Sequence, residues 1–222
     1  TIQAVSGELM VDINALHTDS RKVTPGAAFI ALRGTQVDGH DYIQQAVSNG
    51  AALIVAETAP DTESSAAWIQ TADSSIALAV MAANFYGDPA KQLKIVGVTG
   101  TNGKTTTAHL LAAIMRATGS QTEVIGTLSG SFTTPEASDL QSHFSEMLAN
   151  GTRSVAMEVS SHALSHGRVN GTSFAACVFT NLGRDHLDFH GSEENYFQAK
   201  ARLFASDFTS VGVVNADDSY GQ

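Results

Sequence analysis

The chain has 222 residues, 43% of them hydrophobic, and a formal net charge of -10. That charge removes the basic field that nucleic-acid binding needs, yet a few local donors can still hold an anionic small ligand. No stretch approaches the about 20 apolar residues of a membrane span, no basic segment leads into an apolar N-terminal core, and the single cysteine, Cys177, allows no intrachain disulfide, so a reduced, cytoplasmic setting is expected.

Residues 27–32 are an apolar run after Pro25-Gly26 and predict a strand. Residues 41–49 have helical spacing, with Gly50 as the stop. A second apolar run, 52–56, predicts another strand, and 60–65 is polar and turn-rich. Residues 74–86 predict a helix ended by Gly87-Asp88-Pro89. A domain boundary is placed there, dividing residues 1–88 from 89–222. Beyond it, strands over 93–98, 122–125, 154–159, 174–180 and 211–215 alternate with helices over 104–118, 136–150 and 192–205. Such alternation implies crossover units and a mainly parallel sheet, so the fold class is α/β. Ligands of such sheets bind at the carboxyl ends of the strands. Three polar clusters fall there: 100–106, 158–162 and 181–190.

The first cluster lies in Val98-Thr-Gly-Thr-Asn-Gly-Lys-Thr-Thr-Thr107. A strand, a Gly-rich turn, Lys-Thr and a helix together make a phosphate-gripping device. Glycines let backbone N–H groups approach phosphate oxygens, and the helix N-terminus adds unpaired donors and partial positive charge. Lys104 can reach terminal phosphates, and the Thr105 hydroxyl can ligate Mg²⁺. The general motif wants a glycine where Val98 stands, so only the shorter form from Gly100 to Thr106 is present. A Gly-rich turn with an incidental lysine fits this context poorly. A GTPase-type switch is disfavoured too, because no Asn-Lys-x-Asp pattern occurs.

Glu158 closes a predicted strand beside this loop and is placed to bind Mg²⁺ directly or through water. Asp185, His186 and His190 follow another strand, where a histidine is equally well read as a structural hydrogen bonder. Lys200, on a predicted helix, reads by its residues alone as a solvated face residue.

The loop resembles the ATP loop of the Mur ligases, which add amino acids to the peptidoglycan precursor, and that of their folylpolyglutamate synthetase relatives. Met157-Glu-Val-Ser-Ser-His-Ala-Leu164, Thr180-Asn-Leu-Gly-Arg-Asp-His-Leu-Asp-Phe-His190 and Tyr196-Phe-Gln-Ala-Lys200 resemble successive Mur ligase motifs in the family's order. The resemblance implies that Gly100, Thr101, Asn102, Gly103, Lys104, Thr105 and Thr106 hold ATP. It implies Mg²⁺ on Thr105, Glu158, His186 and Lys200, with Lys200 carbamylated. An ammonium beside divalent cations would be repelled, whereas a carbamate supports them. Lys104, Lys200 and His186 are the expected catalytic residues.

Thr18-Asp-Ser-Arg-Lys22 onward, with Asp38-Gly-His-Asp-Tyr-Ile43, resembles the N-terminal domain shared by the third and fourth ligases of the pathway. That domain takes the uridine diphosphate end of the substrate, implying contacts from Thr18, Ser20, Thr35, Gln36 and Val37. Phe132-Thr-Thr-Pro-Glu136 with Asp139-Leu-Gln141 is similar to the third, tripeptide-forming branch. There, Thr133, Thr134, Ser160 and Arg168 would hold the muramoyl-dipeptide. His166 stands where the family often has glutamine and is the fifth candidate contact. By residues alone, Thr134 could instead cap the following helix.

These resemblances imply an ATP-dependent ligase that adds meso-diaminopimelate or L-lysine to UDP-N-acetylmuramoyl-L-alanyl-D-glutamate through an acyl phosphate. A bacterial, cytoplasmic monomer is expected. The family architecture implies a small N-terminal α/β UDP-binding domain over residues 1–88 and part of a P-loop-like central domain over 89–222. It also implies an amino-acid-binding domain that this sequence lacks, so ligation by the 222 residues alone is not expected. The fourth, dipeptide-adding ligase and a non-catalytic nucleotide-sugar-binding module are the alternatives.

Overall fold

A computed structural model describes residues 2–8, 10–34, 37–60, 64–128 and 132–222. The chain divides into two units, Thr1–Ala82 and Ala83–Gln222.

The first unit holds strands β1 (Ile2–Ser6), β2 (Leu16–His17), β3 (Ala28–Ile30), β4 (Leu53–Ala56) and β5 (Ala67–Thr71), ordered β1-β5-β4-β3-β2. Only the β1–β5 pair is antiparallel. The apolar runs predicted as strands are β3 and β4, and their side chains are fully buried. β1, β2 and β5 were not anticipated. Two of them carry weak signals: β2 is two residues long, and β5 mixes Trp68 with Gln70 and Thr71. The predicted helix over 41–49 is a 3₁₀ turn, Gly39–Tyr42, followed by α1 (Ile43–Ser48). Gly50 follows it at φ 92°, a left-handed conformation that suits glycine. Helix α2 (Ser74–Phe85) begins in this unit. Phe29, Ile54 and Trp68 anchor the core.

The second unit carries an all-parallel sheet of β6 (Lys94–Thr99), β7 (Thr122–Ile125), β8 (Ser154–Glu158), β9 (Ala176–Phe179) and β10 (Gly212–Val214), ordered β10-β9-β6-β8-β7. The α/β class and the mainly parallel second sheet are as expected. Helices α3 (Lys104–Ala117) and α4 (Ala137–Ala149) lie where the periodicity put them, within a residue or so at their ends. Leu140 and Phe144 of α4 pack with Ile95, Val155 and Met157 of the sheet. The register sets Val98 opposite Glu158 on one side and opposite Val178 on the other. The carboxyl ends of β6, β8 and β9 therefore stand side by side, and the three polar clusters with them.

Two short helices, α5 (Ser161–Ser165) and α6 (Leu187–His190), follow β8 and β9. The predicted helix over 192–205 resolves into α7 (Glu193–Ala201) and a 3₁₀ turn, Arg202–Phe204. Ser192 caps α7, its Oγ accepting from the Asn195 amide at 3.1 Å. Replacing a serine cap with alanine removes one satisfied helix donor, so Ser192→Ala is expected to cost about 1 kcal/mol in urea unfolding. A loss within about 0.2 kcal/mol of zero would show that packing alone holds α7.

Candidate functional site

The loop between β6 and α3 is shaped from outside. The Thr101 amide donates to the Asn181 carbonyl (2.9 Å) and the Asn102 amide to Asn181 Oδ1 (3.0 Å). Asn181 Nδ2 and Thr180 Oγ1 return bonds to the Asn102 carbonyl at 3.1 and 2.7 Å. The N–H groups of Thr101 and Asn102 are thus already used. The free donors are those that helix geometry leaves at the start of α3, around Gly103–Thr106. Gly100 sits at φ 145° and Gly103 at φ 83°. A Cβ on Gly100 would also overlap Thr180 Oγ1.

Lys104 folds back onto this loop. Its Nζ donates to the carbonyls of Gly100 and Thr101, both at 2.9 Å. Burial lowers its pKa, against the opposing pull of Glu158 and Asp185. Lys200 overturns the solvated reading. It is 1% exposed, and its Nζ donates to the same Gly100 carbonyl at 2.8 Å. The surrounding α7 residues are mostly polar, so periodicity could not reveal a buried lysine. Burial, and then the Lys104 charge, push the Lys200 amine down to about 7.

Lys200 Nζ also lies 4.4 Å from the ring centre of Tyr196, which is 1% exposed. The Tyr196 hydroxyl sits 3.1 Å from Thr101 Oγ1. This tyrosine was not singled out from the sequence. One buried ring ties the phosphate loop to the lysine helix.

Glu158 ends β8 with 1% exposure. The Thr105 hydroxyl donates to Oε2 (2.9 Å), the Thr127 amide to Oε1 (2.9 Å) and the Thr127 hydroxyl to Oε2 (3.4 Å). Thr127 is a further missed residue, placed by the turn after β7. Gly126 lies flat against the carboxylate, and a Cβ there would overlap Glu158 Oε1. Glu158 and Thr105 supply hard oxygen donors, the set Mg²⁺ prefers, and Mg²⁺ keeps most of its shell as water and phosphate. The residues present fit that ion.

His186 lies on the segment after β9. It adopts φ 51° at the start of α6, and its Nε2 lies 3.5 Å from Asp185 Oδ2. Its ring packs against His162 (4.7 Å between centres) and Tyr196 (6.0 Å). Among the described residues, no group of three or more His, Cys, Asp or Glu side chains is close enough to hold a metal. His190 is buried and pairs with Ser161 Oγ at 3.0 Å, the structural role open to it from sequence.

The dipeptide candidates assemble around Arg168. Its Nη2 meets Glu136 Oε1 at 2.6 Å, its Nη1 reaches the Thr134 carbonyl at 3.3 Å, and the guanidinium lies 5.1 Å from the Phe132 ring centre. Burial raises the Glu136 pKa, and the Arg168 charge opposes that rise. Thr134 is 1% exposed, and its hydroxyl donates to the Glu158 carbonyl (3.0 Å) and accepts from the Ser160 amide (3.1 Å). Thr134 is not the cap of α4; Glu136 holds that position, without a side-chain capping bond. The Thr134 hydroxyl is spent on holding this loop to β8. Thr133 Oγ1 faces Thr127 Oγ1 at 3.1 Å. Ser160 caps α5 through Ala163 N, and His166 closes that helix with its ring 5.4 Å from Phe189.

In the first unit, Thr18 follows β2 and Ser20 is buried, its Oγ donating to Gln45 Oε1 at 2.6 Å. Val37 is exposed and its carbonyl accepts from Gly34 N. Thr35 and Gln36 lie outside the described residues. No helix among the described residues is long and apolar enough to cross a membrane.

The sequence matches the Mur ligase middle domain over residues 98–222 and the Mur ligase family catalytic domain over residues 12–117. It is 44% identical to the UDP-N-acetylmuramoyl-L-alanyl-D-glutamate–2,6-diaminopimelate ligase of Geobacter sulfurreducens, across 98% of this chain and 46% of that protein. A solved structure of a ligase of that name superposes with a TM-score of 0.80 at 32% identity, covering 94% of this chain and 44% of the other. MurF from Acinetobacter baumannii superposes with a TM-score of 0.66 at 26% identity, covering 94% and 45%. The chain spans about half the length of the curated relatives it matches.

Proposed function

The chain belongs to the Mur ligase family, and from that premise we propose that it carries the nucleotide-sugar-binding and ATP-binding parts of a cytoplasmic ligase of bacterial peptidoglycan synthesis. The reaction joins a diamino acid, meso-diaminopimelate or L-lysine, to UDP-N-acetylmuramoyl-L-alanyl-D-glutamate. One observation carries this reading: Lys104, the first residue of α3, folds its Nζ onto the Gly100 and Thr101 carbonyls beside the unpaired amides of the α3 N-terminus. A cationic amine beside a helix N-terminus calls for an anion, and a polyphosphate supplies it.

In the reaction, the substrate's side-chain carboxylate attacks the γ-phosphorus of ATP. The bond to the bridging oxygen breaks, ADP leaves, and an acyl phosphate forms. The incoming amine then adds to that carbonyl, loses a proton and expels phosphate. Lys104 holds charge on the moving phosphoryl group, and the α3 N–H groups hold the oxygens next to it. Glu158 and Thr105, with His186, would hold Mg²⁺, which would supply charge neutralisation of the triphosphate against the incoming carboxylate. Arg168, Thr133 and Ser160 take the peptide, with His166 beside them. Thr18, Ser20 and residues 35–37 take the uridine end.

The Lys200 amine, pushed down to about 7 by its burial, attacks CO₂ in its unprotonated form, loses a proton and becomes a carbamate. With ¹³C-bicarbonate, a carbamate carbon signal is expected from the wild-type chain and none from Lys200→Met. A bare amine under saturating CO₂ would remove Lys200 from the anion-bearing set.

Calorimetry with ATP and Mg²⁺ tests the main reading. The chain should bind ATP, and Lys104→Ala should bind it at least about a hundredfold more weakly. Failure of the wild-type chain to bind ATP would overturn the assignment. The dipeptide-adding relative is the second reading. The higher identity and TM-score toward the diaminopimelate-adding structure favour the first.

A further inference from the structure

Glu136 breaks a local rule. The position before the first turn of a helix favours Ser, Thr, Asp or Asn, whose short side chains bond a free N–H. Glu136 occupies that position ahead of α4 and makes no such bond. Its carboxylate goes to Arg168 instead, at 2.6 Å. A forfeited cap is a local cost, and such costs mark positions where another task has priority.

The Arg168 cage comes from alternate residues of one loop segment: the Phe132 ring, the Thr134 carbonyl and the Glu136 carboxylate. Pro135, between the last two, fixes φ and removes a competing N–H. The Thr134 hydroxyl pins the segment to the end of β8. Arg168 therefore has little freedom; its side chain is 16% exposed. A guanidinium has five N–H donors. The cage uses one on each terminal nitrogen, which leaves a further N–H on each for a ligand.

We infer that Glu136 is a positioning residue: it holds the Arg168 fork in the orientation that receives the carboxylate at the end of the substrate's peptide. This rests on the reading of Arg168 given above. A planar fork recognises a carboxylate by geometry as well as charge. An arginine already paired with Glu136 offers less bare charge, so orientation carries more of the selectivity. Glu136 touches Arg168 and acts through it.

The test is calorimetry on the 222-residue chain with three probes: the UDP-muramoyl-dipeptide, the same nucleotide lacking its terminal glutamate, and ATP. Glu136→Ala should lose at least about tenfold in affinity for the dipeptide nucleotide, with the shorter nucleotide and ATP unchanged. Glu136→Asp keeps the charge but falls short of Arg168, and should behave like alanine. Glu136→Gln keeps an acceptor oxygen at the same reach, and should stay within about threefold of wild type. An alanine variant that binds the dipeptide nucleotide as tightly as wild type overturns the inference. Equal losses for all three probes overturn it as well, because they mark general damage to the fold. A wild-type chain that binds the two nucleotides equally tightly overturns the reading of Arg168 itself.

Discussion

Gly126→Ala is expected to uncouple ATP binding from Mg²⁺. No positive φ is involved at this residue; the constraint is contact. A methyl group there would overlap Glu158 Oε1 and come within 2.7 Å of Cδ and 2.8 Å of Cγ. All the nearest atoms belong to one side chain, and it is 1% exposed. Glu158 must rotate, and it then loses the Thr127 amide and the Thr105 hydroxyl together. Hydrogen bonds to a charged group are each worth about 1.5–3 kcal/mol. Losing two should weaken Mg²⁺-dependent ATP binding by about a hundredfold or more. Binding without Mg²⁺, which rests on Lys104 and the α3 N-terminus, should change far less. The ratio of affinities with and without Mg²⁺ is the readout. A Gly126→Ala chain that responds to Mg²⁺ as wild type does would remove Glu158 from the metal site.

Lys200→Met is expected to stabilise the chain near pH 6 while abolishing carbamate formation. The folded-state amine titrates at about 7, against 10.5 for a free lysine. Below pH 7 the amine is charged in both states, and the folded chain bears the full cost of a buried cation. Between pH 7 and 10 the unfolded chain binds more protons, so wild-type stability rises with pH in that window. A shift of this size corresponds to something on the order of 5 kcal/mol. Methionine fills the same space without charge. It gives up one hydrogen bond to Gly100 O, which Lys104 still satisfies. Urea unfolding in CO₂-free buffer should show the variant ahead at pH 6, with the gap closing as pH approaches 10. A variant less stable than wild type at pH 6 would mean that the lysine's contacts outweigh its burial.

Where buried strands alternate with amphipathic helices, the second unit is readable from sequence: β6, β7, β8 and α3 fall where apolar runs and Gly-rich breaks put them. β6 and β8 bury runs of consecutive residues and a Gly-rich break opens α3, and that leaves a local trace. The first unit left less trace. β2 is too short to show a period, and β1 is exposed along its whole length. Within the site, Lys104, Thr105 and Glu158 were legible because a loop and a strand end announce them. Thr127, Tyr196 and the burial of Lys200 were not. Each depends on which distant segment packs against it, and a window of neighbouring residues does not carry that. The Thr134 hydroxyl illustrates the converse. Its motif was noticed, but the atom was already occupied by Glu158 and Ser160.

The clasp between Asn102 and Asn181 bears on transplantation. The loop after β6 does not hold its shape alone; the segment after β9 helps to shape it, from 79 positions away. Moving residues 100–106 alone into another parallel-sheet scaffold would therefore deliver the composition of a phosphate grip without its curvature. The portable unit is the pair of loops, with both strands kept adjacent. Substitutions at Asn181, whose side chain grips the Asn102 backbone at both N and O, should accordingly disturb the loop, whereas those at Asn102, which bonds through its backbone, should be tolerated.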